Sequence, residues 1–245
     1  GLACEWLMVD EVPTAAAGIV VNAEGANQIV VNLAANEHLS TTFLESHAAH
    51  LAGARVLLVQ LESNLGAVRS ALDLGGKYGL LRMLNPAPMH AGVDASFLRC
   101  CEVITPNETE FVHLLERIAD LRISAVQVAD TSDEILHGHC RKLGLASCVI
   151  TLGSHGCFIS HDSSTLRGDE KPCYRLPAET VQAIDTTGAG DAFSGALAAS
   201  LADRQTRSFR DAVLYANRVA AMSTEKLGAA VAIPSKADVI QRFGQ

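Results

Sequence analysis

Two kinds of hydrophobic spacing follow one another along the chain, and each predicts a different element. Short apolar runs at residues 15–22 and 28–33 flank the polar stretch 23–27, which contains a glycine. Two such runs joined by a short polar turn are typical of an antiparallel β-hairpin. We therefore expect a small hairpin at about residues 14–34, before the main body of the fold.

From residue 40 onward, apolar positions three to four residues apart alternate with almost continuous apolar runs. The helical spacing covers residues 40–51, which Ser40 can cap, and residues 64–75. The continuous runs are residues 55–61 and 81–84. Continuous apolar strands are typical of parallel sheets that are buried on both faces, so this part of the chain predicts βαβ units.

The second half of the chain continues this alternation, with polar capping residues before the helical stretches. We expect helices at residues 107–115, 131–144, 191–201, 208–224 and from 235 onward, strands at 148–152 and 157–161, and edge strands within 166–183. The sequence contains no repeat and no linker. We therefore expect a single α/β domain over residues 1–245, with a mainly parallel sheet flanked by helices and the small hairpin attached to it.

Composition narrows the classes of function. The chain has 245 residues, of which 49% are hydrophobic and 19% charged, and its formal net charge is −8. This acidic balance disfavours nucleic acid or an acidic membrane surface as the main partner, but not ATP, whose phosphates can bind backbone amides and Mg²⁺. The seven cysteines form no Cys-x-x-Cys pair. That pattern favours a reducing compartment, and we expect a cytoplasmic protein.

A glycine-rich turn that leads into a helix carries the strongest chemical signal. Residues 185–195 read Asp-Thr-Thr-Gly-Ala-Gly-Asp-Ala-Phe-Ser-Gly. Gly188, Ala189 and Gly190 are small enough for several backbone amides to converge, and the following helix adds unpaired amides and the positive end of its dipole. Such a turn attracts anions. Two roles are open to the carboxylate of Asp191 at its mouth: partner of the helix dipole, or base that accepts a hydroxyl proton.

This run resembles a signature of the ribokinase-like (PfkB) family of carbohydrate kinases. The resemblance implies ATP-dependent phosphorylation of a sugar primary hydroxyl, with D-ribose, converted to D-ribose 5-phosphate, as the expected substrate. It also implies that Asp191 is the catalytic base and contacts the sugar. The γ-phosphate would be held by the amides of Gly188, Ala189 and Gly190.

The same resemblance implies a monovalent cation site beside the turn. Asp185 and Thr187 would bind K⁺ together with Gly228, which lies in the run Lys-Leu-Gly-Ala-Ala at residues 226–230. A cation there would fix the geometry of the anion-binding turn.

A second motif, Thr-Pro-Asn-Glu-Thr-Glu at residues 105–110, supports two interpretations. Asn107 can cap a helix while Glu110 closes a capping box, which is a sufficient structural explanation. The run also resembles the Asn-x-x-Glu motif of the family. That resemblance implies that Asn107 and Glu110 orient Mg²⁺ indirectly and that Asn107 contacts ATP. Both interpretations can hold together.

A third stretch, Thr-Leu-Gly-Ser-His-Gly at residues 151–156, contains two glycines that allow close approach to a nucleotide. It resembles a nucleotide-binding segment of the family, and a plain turn between two strands is the alternative. Together with the glycine-rich turn and a family position beside adenine, the resemblance implies a set of ATP contacts: Thr151, Gly153, Ser154, Gly156, Gly190 and Asn217.

The sugar side of the site rests on fewer residues. Gln60-Leu61-Glu62 resembles a family segment whose Glu lies near the sugar hydroxyls, which favours ribose over fructose or a nucleoside. A solvated loop acid is the alternative interpretation of Glu62. The predicted hairpin resembles the lid that covers the sugar in this family and often forms a homodimer, with Ala35-Asn36 at its end.

The family also has an N-terminal part before the lid, which carries sugar contacts and has no counterpart in this sequence. We therefore expect an N-terminally truncated kinase that binds ATP weakly and forms no ADP with ribose, while a longer version does. The alternative from a different class is a nucleotide-binding or dimerising protein without catalysis.

Overall fold

The computed structural model describes residues 3–21, 27–162, 167–206 and 208–244. Its strands are β1 Ala16–Val21, β2 Asn27–Asn32, β3 Val56–Val59, β4 Leu81–Leu84, β5 Val103–Ile104, β6 Ser147–Thr151, β7 Cys157–His161 and β8 Cys173–Leu176. β1 and β2 form an antiparallel hairpin. The other strands form one sheet in the order β3–β4–β5–β6–β7–β8, parallel from β3 to β6 and antiparallel beyond. The expected α/β class with a mainly parallel sheet is confirmed.

Helices cover both faces of this sheet. They are α1 Thr41–Ser46, α2 Leu65–Lys77, α3 Ala95–Leu98, α4 Glu108–Ala119, α5 Ala125–Val128, α6 Asp133–Lys142, α7 Ala189–Ala202, α8 Phe209–Ser223 and α9 Lys236–Phe243. α2, α4 and α6 bury their apolar side chains in one core, and α7 and α8 bury theirs in another.

Strand residues supply both cores alternately, because successive side chains of a strand point to opposite faces. In β4, Met83 belongs to the core under α7 and α8, whereas Leu84 belongs to the core under α2 and α4. Val103 and Ile104 of β5 divide in the same way. The continuous apolar runs of the sequence therefore have the predicted cause: the central strands are buried on both faces.

β3 is the exception, since it forms one edge of the sheet. The side chain of Leu58 is 37% exposed, and the strand spans residues 56–59 rather than 55–61. The expectation that this run is buried on both faces is wrong, because within the described residues β3 has a neighbouring strand on one side only.

Gly75 and Gly76 look in the sequence like a helix stop, but α2 continues through both of them to Lys77. A Cβ added to Gly75 would lie 2.8 Å from Leu57 Cδ2, so this glycine is explained by the close packing of α2 on β3. The helix ends at Lys77 with Tyr78 as its C-cap, and Gly79 follows directly at a φ of 69°, a left-handed conformation that favours glycine.

Other boundaries shift for local reasons. The helix expected at residues 40–51 ends at Ser46 and is followed by a separate 3₁₀ turn, Ala48–Leu51. The helix expected from Thr131 begins at Asp133, because the Thr131 hydroxyl donates to the Gln127 carbonyl (2.8 Å) at the end of α5 and does not cap α6. The run 166–183 contains a single strand, β8, within the described residues.

The hairpin stands apart from the sheet, and residues 23–26 of its expected turn, with residue 22 before them, lie outside the described residues. Val20 and Val30 are 71% and 70% exposed. Within the described ranges, no helix has the length and the apolar character that are needed to cross a membrane.

Candidate active site

The carboxyl ends of the parallel strands meet at one edge of the sheet, and three predicted site residues lie there. Glu62 follows β3, Asn107 follows β5, and Thr151 ends β6. The Thr151 amide donates to the carbonyl of Pro106 (2.9 Å), and Asn107 and Thr151 form a parallel bridge. Ligands of open α/β sheets bind outside this edge, so the placement agrees with a ligand site.

The glycine-rich turn presents open backbone amides at the start of α7. The helix begins at Ala189 rather than at Asp191, with Gly188 as its N-cap at a φ of 76°. A Cβ added to Gly188 would lie 3.0 Å from the Cβ of Ala229, so both the backbone conformation and the space favour glycine. The Ala189 amide donates to the Thr186 carbonyl (3.2 Å).

Among the described residues, no acceptor is hydrogen-bonded to the backbone amides of Gly188, Gly190 or Asp191. Unpaired amides at the first turn of a long helix, aided by its dipole, are suited to an anion. The turn that was identified from the sequence therefore leaves amides open to an anion, and phosphate binding there stays a prediction.

Asp185 holds this turn in place from outside the helix. One carboxylate oxygen accepts the Thr187 amide (2.9 Å) and the other accepts the Gly228 amide (2.9 Å). The hydrogen bond from Gly228, followed by those from Thr187, lowers the pKa of Asp185. The structure thus brings the three predicted cation-site residues together around one ionised carboxylate.

Asp191 and Glu62 lie on different elements and interact electrostatically. Asp191 lies in the first turn of α7, and solvent reaches its side chain. Partial desolvation by the surrounding protein raises the pKa of Asp191, and the negative charge of Glu62 raises it further. The two carboxylates therefore lie within electrostatic range of each other, and their roles as base and sugar contact stay predictions.

Hydrogen bonds to its backbone amide and carbonyl fix the position of Glu62. The side-chain oxygen of Gln60 accepts the Glu62 amide, and the Glu62 carbonyl accepts a hydrogen bond from Asn36 Nδ2 (2.9 Å). The Asn36 carbonyl accepts the amide of Asn64 (3.3 Å). Asn36 follows the hairpin closely, so the segment after the hairpin is tied to the loop that carries Glu62.

Asn107 and Glu110 form the predicted capping box at the start of α4. The Asn107 Oδ1 accepts the Glu110 amide (2.8 Å), and the Glu110 carboxylate accepts the Asn107 amide (2.8 Å) and its Nδ2 (3.0 Å). Burial is the main cause that raises the pKa of Glu110. The capping interpretation is confirmed, and the Mg²⁺ interpretation stays a prediction.

The predicted nucleotide-binding stretch forms a single 3₁₀ turn, Gly153–His155, between β6 and β7. Gly153 and Ser154 are exposed. Gly156 has a φ of 84°, and an added Cβ would lie 2.0 Å from the Leu176 carbonyl oxygen, so this glycine is required by packing on the end of β8. Direct contact with a nucleotide stays a prediction.

Asn217 lies on α8 and is 8% exposed. Its Nδ2 donates to the Pro177 carbonyl (2.8 Å), and the neighbouring Arg218 Nε donates to Glu179 (3.1 Å). α8 therefore fixes the chain that leaves β8. The side-chain amide of Asn217 is thus engaged within the protein, which gives this residue a structural role, and its contact with a nucleotide stays a prediction.

Two cofactors are implied by the sequence resemblance, and the side chains fit them to different degrees. Within the described residues, no group of three or more His, Cys, Asp and Glu side chains could hold a metal ion by itself. Both oxygens of Glu110 accept hydrogen bonds, so Asn107 and Glu110 suit an indirect role toward Mg²⁺ that is bound mainly by phosphate and water. The ionised Asp185 supplies the anionic oxygen that a K⁺ site needs.

Sequence reasoning missed the groups that support the turn from behind. The Thr224 carbonyl, at the end of α8, accepts the amides of Ile184 (2.7 Å) and Asp185 (3.0 Å). These contacts join residues far apart in the chain, and a helix C-cap carries no distinctive sequence signal for them. A separate cavity of about 770 Å³ lies between α7, α8 and α9, and no predicted site residue lines it.

Comparison with known proteins agrees with this geometry. The model of the pfkB family of carbohydrate kinases matches residues 1–236. The chain is 34% identical to the ribokinase of Mus musculus over 92% of this chain and 66% of that protein. It is 33% identical to the ribokinase of Haemophilus influenzae over 95% of this chain and 70% of that protein. The chain thus spans about two thirds of the length of these relatives.

A solved structure gives the same result. The ribokinase of Cryptococcus neoformans var. grubii, determined in complex with ADP, superposes with a TM-score of 0.77 at 28% identity, over 96% of this chain and 73% of that one. Fold, motif order and strand-end geometry therefore agree with a family match over nearly the whole sequence, and the chain belongs to the pfkB family of carbohydrate kinases.

Proposed function

We propose that this chain carries the ATP and phosphoryl-transfer site of a sugar kinase, with D-ribose as its substrate. The observation that carries the proposal is the start of α7, where open amides lie beside a carboxylate of raised pKa. Its support is the family membership of the chain and its similarity to ribokinases.

In the proposed reaction Asp191 accepts the proton of a sugar primary hydroxyl, whose oxygen attacks the γ-phosphorus of ATP in line while ADP leaves. The amides of Gly188 and Gly190, with the helix dipole, stabilise the charge on the transferred phosphoryl oxygens. Mg²⁺ supplies charge neutralisation on the phosphates when bound. Asn107 and Glu110 would orient its water ligands.

Asp191 suits the role of base because phosphoryl transfer depends mainly on positioning and charge stabilisation. Its pKa, raised by burial and by the negative charge of Glu62, makes it a better proton acceptor than a fully solvated aspartate. Glu62 would bind a sugar hydroxyl next to it.

We place K⁺ at Asp185, Thr187 and Gly228 in this proposal, where it would fix the turn. The proposal also includes a cytoplasmic location and pairing of two copies through the hairpin. The residues proposed to contact ATP are Thr151, Gly153, Ser154, Gly156 and Asn217. Equal turnover in K⁺ and Na⁺ at matched ionic strength would remove the cation from the proposal.

The test is Asp191→Asn, made in this chain and in a version extended to the length of its relatives. We expect Mg·ATP affinity to stay within a few fold, and ribose-dependent ADP release to fall by about three orders of magnitude or more wherever it is measurable. A loss below tenfold would place the base elsewhere.

The same assay with fructose and with a nucleoside decides between substrates, since another family kinase would share every motif above. A second function, nucleotide binding without sugar phosphorylation, is favoured by the small number of proposed sugar contacts, Glu62 and Asp191. ATP binding without sugar-dependent ADP release in either version would select it.

A further inference from the structure

Three arginines from separate parts of the chain line one small pocket at the far end of α7. The pocket has a volume of about 150 Å³, and its lining includes Arg55, Arg167 and Arg204 together with Thr206, whose hydroxyl donates to the Ser200 carbonyl (2.7 Å), and Ser208. Since α7 spans 14 residues, roughly 20 Å separates this pocket from the glycine-rich turn at a rise of about 1.5 Å per residue. The two places are distinct.

These arginines form no direct ion pair among the described residues, although Arg55 interacts electrostatically with Asp203, and Arg167 with Glu102 and Asp162. Among the described residues, none of the three has a carboxylate within ion-pair distance. Arg55 donates to the Ala202 carbonyl at the end of α7, and Arg167 Nε donates to Ser147 Oγ (3.1 Å). Among the described residues, these contacts engage one guanidinium N–H group of each arginine, out of the five that a guanidinium carries.

The backbone conformation and the burial of Arg167 are both energetically unfavourable. Its φ is 50°, in the left-handed region that side chains other than glycine rarely adopt. Burial lowers the pKa of Arg167, because its cation is partly removed from water, and this effect outweighs the opposing one of the acids Glu102 and Asp162. Arrangements of this kind persist where the surroundings or a ligand offset the cost.

One carboxylate, Asp203, also lines the pocket. Its Oδ2 lies 3.6 Å from Lys236 Nζ, and its Oδ1 accepts the Gln205 amide (2.9 Å). Because Lys236 offsets this charge, the pocket keeps an excess of positive charge in a chain whose formal net charge is −8.

The start of α8 adds a donor to the same pocket. Ser208 Oγ accepts the Asp211 amide (3.1 Å), which leaves the hydroxyl hydrogen of Ser208 able to donate. The first amides of α8 are already engaged, since Phe209 donates to the Arg167 carbonyl (3.0 Å) and Arg210 to Asp169 (2.8 Å). A ligand would therefore be bound by side chains, with the helix dipole as a supporting field.

From this convergence we propose that the arginine pocket binds a phosphate group, either that of inorganic phosphate or that of a small phosphate monoester. Planar guanidinium groups bind tetrahedral oxyanions through paired, charge-assisted hydrogen bonds. The pocket is large enough for one phosphate and too small for a nucleotide. The site does not depend on the proposed kinase reaction.

The experiment is calorimetric titration of the chain with inorganic phosphate at constant ionic strength, repeated with glycerol phosphate. Arg204→Gln and Arg55→Gln are the test variants, because both side chains are exposed and Arg204 makes none of the described hydrogen bonds or ion pairs. We expect millimolar binding that weakens about tenfold in each variant, as loss of one charge-assisted contact predicts. Tighter binding of one ligand identifies the source of the phosphate.

Arg99→Gln is the matched control, since Arg99 is an exposed arginine at the end of α3 and changes the net charge equally. It should bind phosphate like the original chain, and Mg·ATP affinity should be the same in all variants. Absence of phosphate binding, unchanged binding in both test variants, or an equal loss in Arg99→Gln would overturn the proposal.

Discussion

Asp191 shows how one residue can serve two purposes that its sequence position leaves open. In the first turn of α7 its negative charge is stabilised by the helix dipole. Burial and the neighbouring charge of Glu62 act in the opposite direction and raise its pKa. The net effect is a carboxylate whose proton affinity is increased without loss of its place beside the open amides.

Glu62→Gln should lower the pKa of Asp191, because it removes the nearby negative charge while the larger contribution, burial, remains. The proposed base acts only when ionised, so activity that depends on it should rise with pH through this pKa. The variant should move that rise to lower pH, yet not below the ordinary range of an aspartate. The Asp191 carboxyl ¹³C shift, followed by pH titration, gives the measurement without turnover.

Glu45→Gln is the control, since Glu45 is an exposed acid on α1. An unchanged Asp191 titration in Glu62→Gln would mean that the two carboxylates do not share one site.

At this scale the sequence predicted residue types better than their partners. Gly188 follows from the local turn, but its close approach to Ala229 joins positions that only the fold brings together. Asp185 was expected near Gly228 through family resemblance alone; the shared carboxylate depends on how the loop after α8 returns to α7. The three arginines of the phosphate pocket have no common motif.

At the scale of elements, the start of α7 depends on the backbone conformation of Gly188. Gly188→Ala should lower the free energy of unfolding by about 1–2 kcal/mol, because alanine at a φ of 76° is strained. It should also weaken Mg·ATP binding by displacing the amides. Thermal unfolding and calorimetry measure the two effects.

Gly195→Ala is the matched change inside the same helix, where an added Cβ meets nothing within 4 Å. It should raise stability by up to about 1 kcal/mol and leave nucleotide affinity unchanged. If both variants behaved alike, the turn would have no special geometry.

A comparison of the capping boxes of α4 and α9 separates the stabilising role of a helix cap from a role in ATP binding. Asn107→Ala and Ser235→Ala remove equivalent caps and should each cost about 1 kcal/mol of stability. Only Asn107→Ala should also weaken ATP binding in the presence of Mg²⁺. Equal ATP affinity in the two variants would leave Asn107 with capping alone.

Element boundaries were predicted where a capping residue marks them, as at Asn64, Asn107, Ser208 and Ser235. Boundaries were missed where tertiary contacts determine where a helix begins or ends. Gly75 lies inside α2 because the helix packs closely on β3. Thr131 bonds back to Gln127 instead of starting α6.

At the scale of the whole molecule, α7 and α8 connect the glycine-rich turn with the arginine pocket. Their near ends hold the glycine-rich turn through Thr224, and their far ends form the arginine pocket. The parallel sheet was predictable because its central strands are apolar on both faces. The position of β3 at an edge of the sheet was not predictable, because a run of apolar residues does not reveal how many neighbouring strands it will have.

The hairpin should pair two copies of the chain, because a lone hairpin is marginal and both of its faces carry exposed apolar side chains. Replacing Val20 and Val30 together by lysine should shift the population from dimer to monomer in light scattering coupled to size exclusion. Val126→Lys, at an exposed valine of α5, is the control. A monomeric original chain, or a dimer unaffected by the hairpin change, would contradict this.

The most direct test of the central claim is an NMR titration of the backbone amides with Mg·ATP and, separately, with Mg·ADP. We predict that the amide protons of Gly188, Gly190 and Asp191 move downfield with ATP and much less with ADP, since the proposed ligand of these amides is the γ-phosphate. Equal responses to both nucleotides, or shifts that leave these three amides unchanged, would contradict a phosphoryl-transfer site at the start of α7.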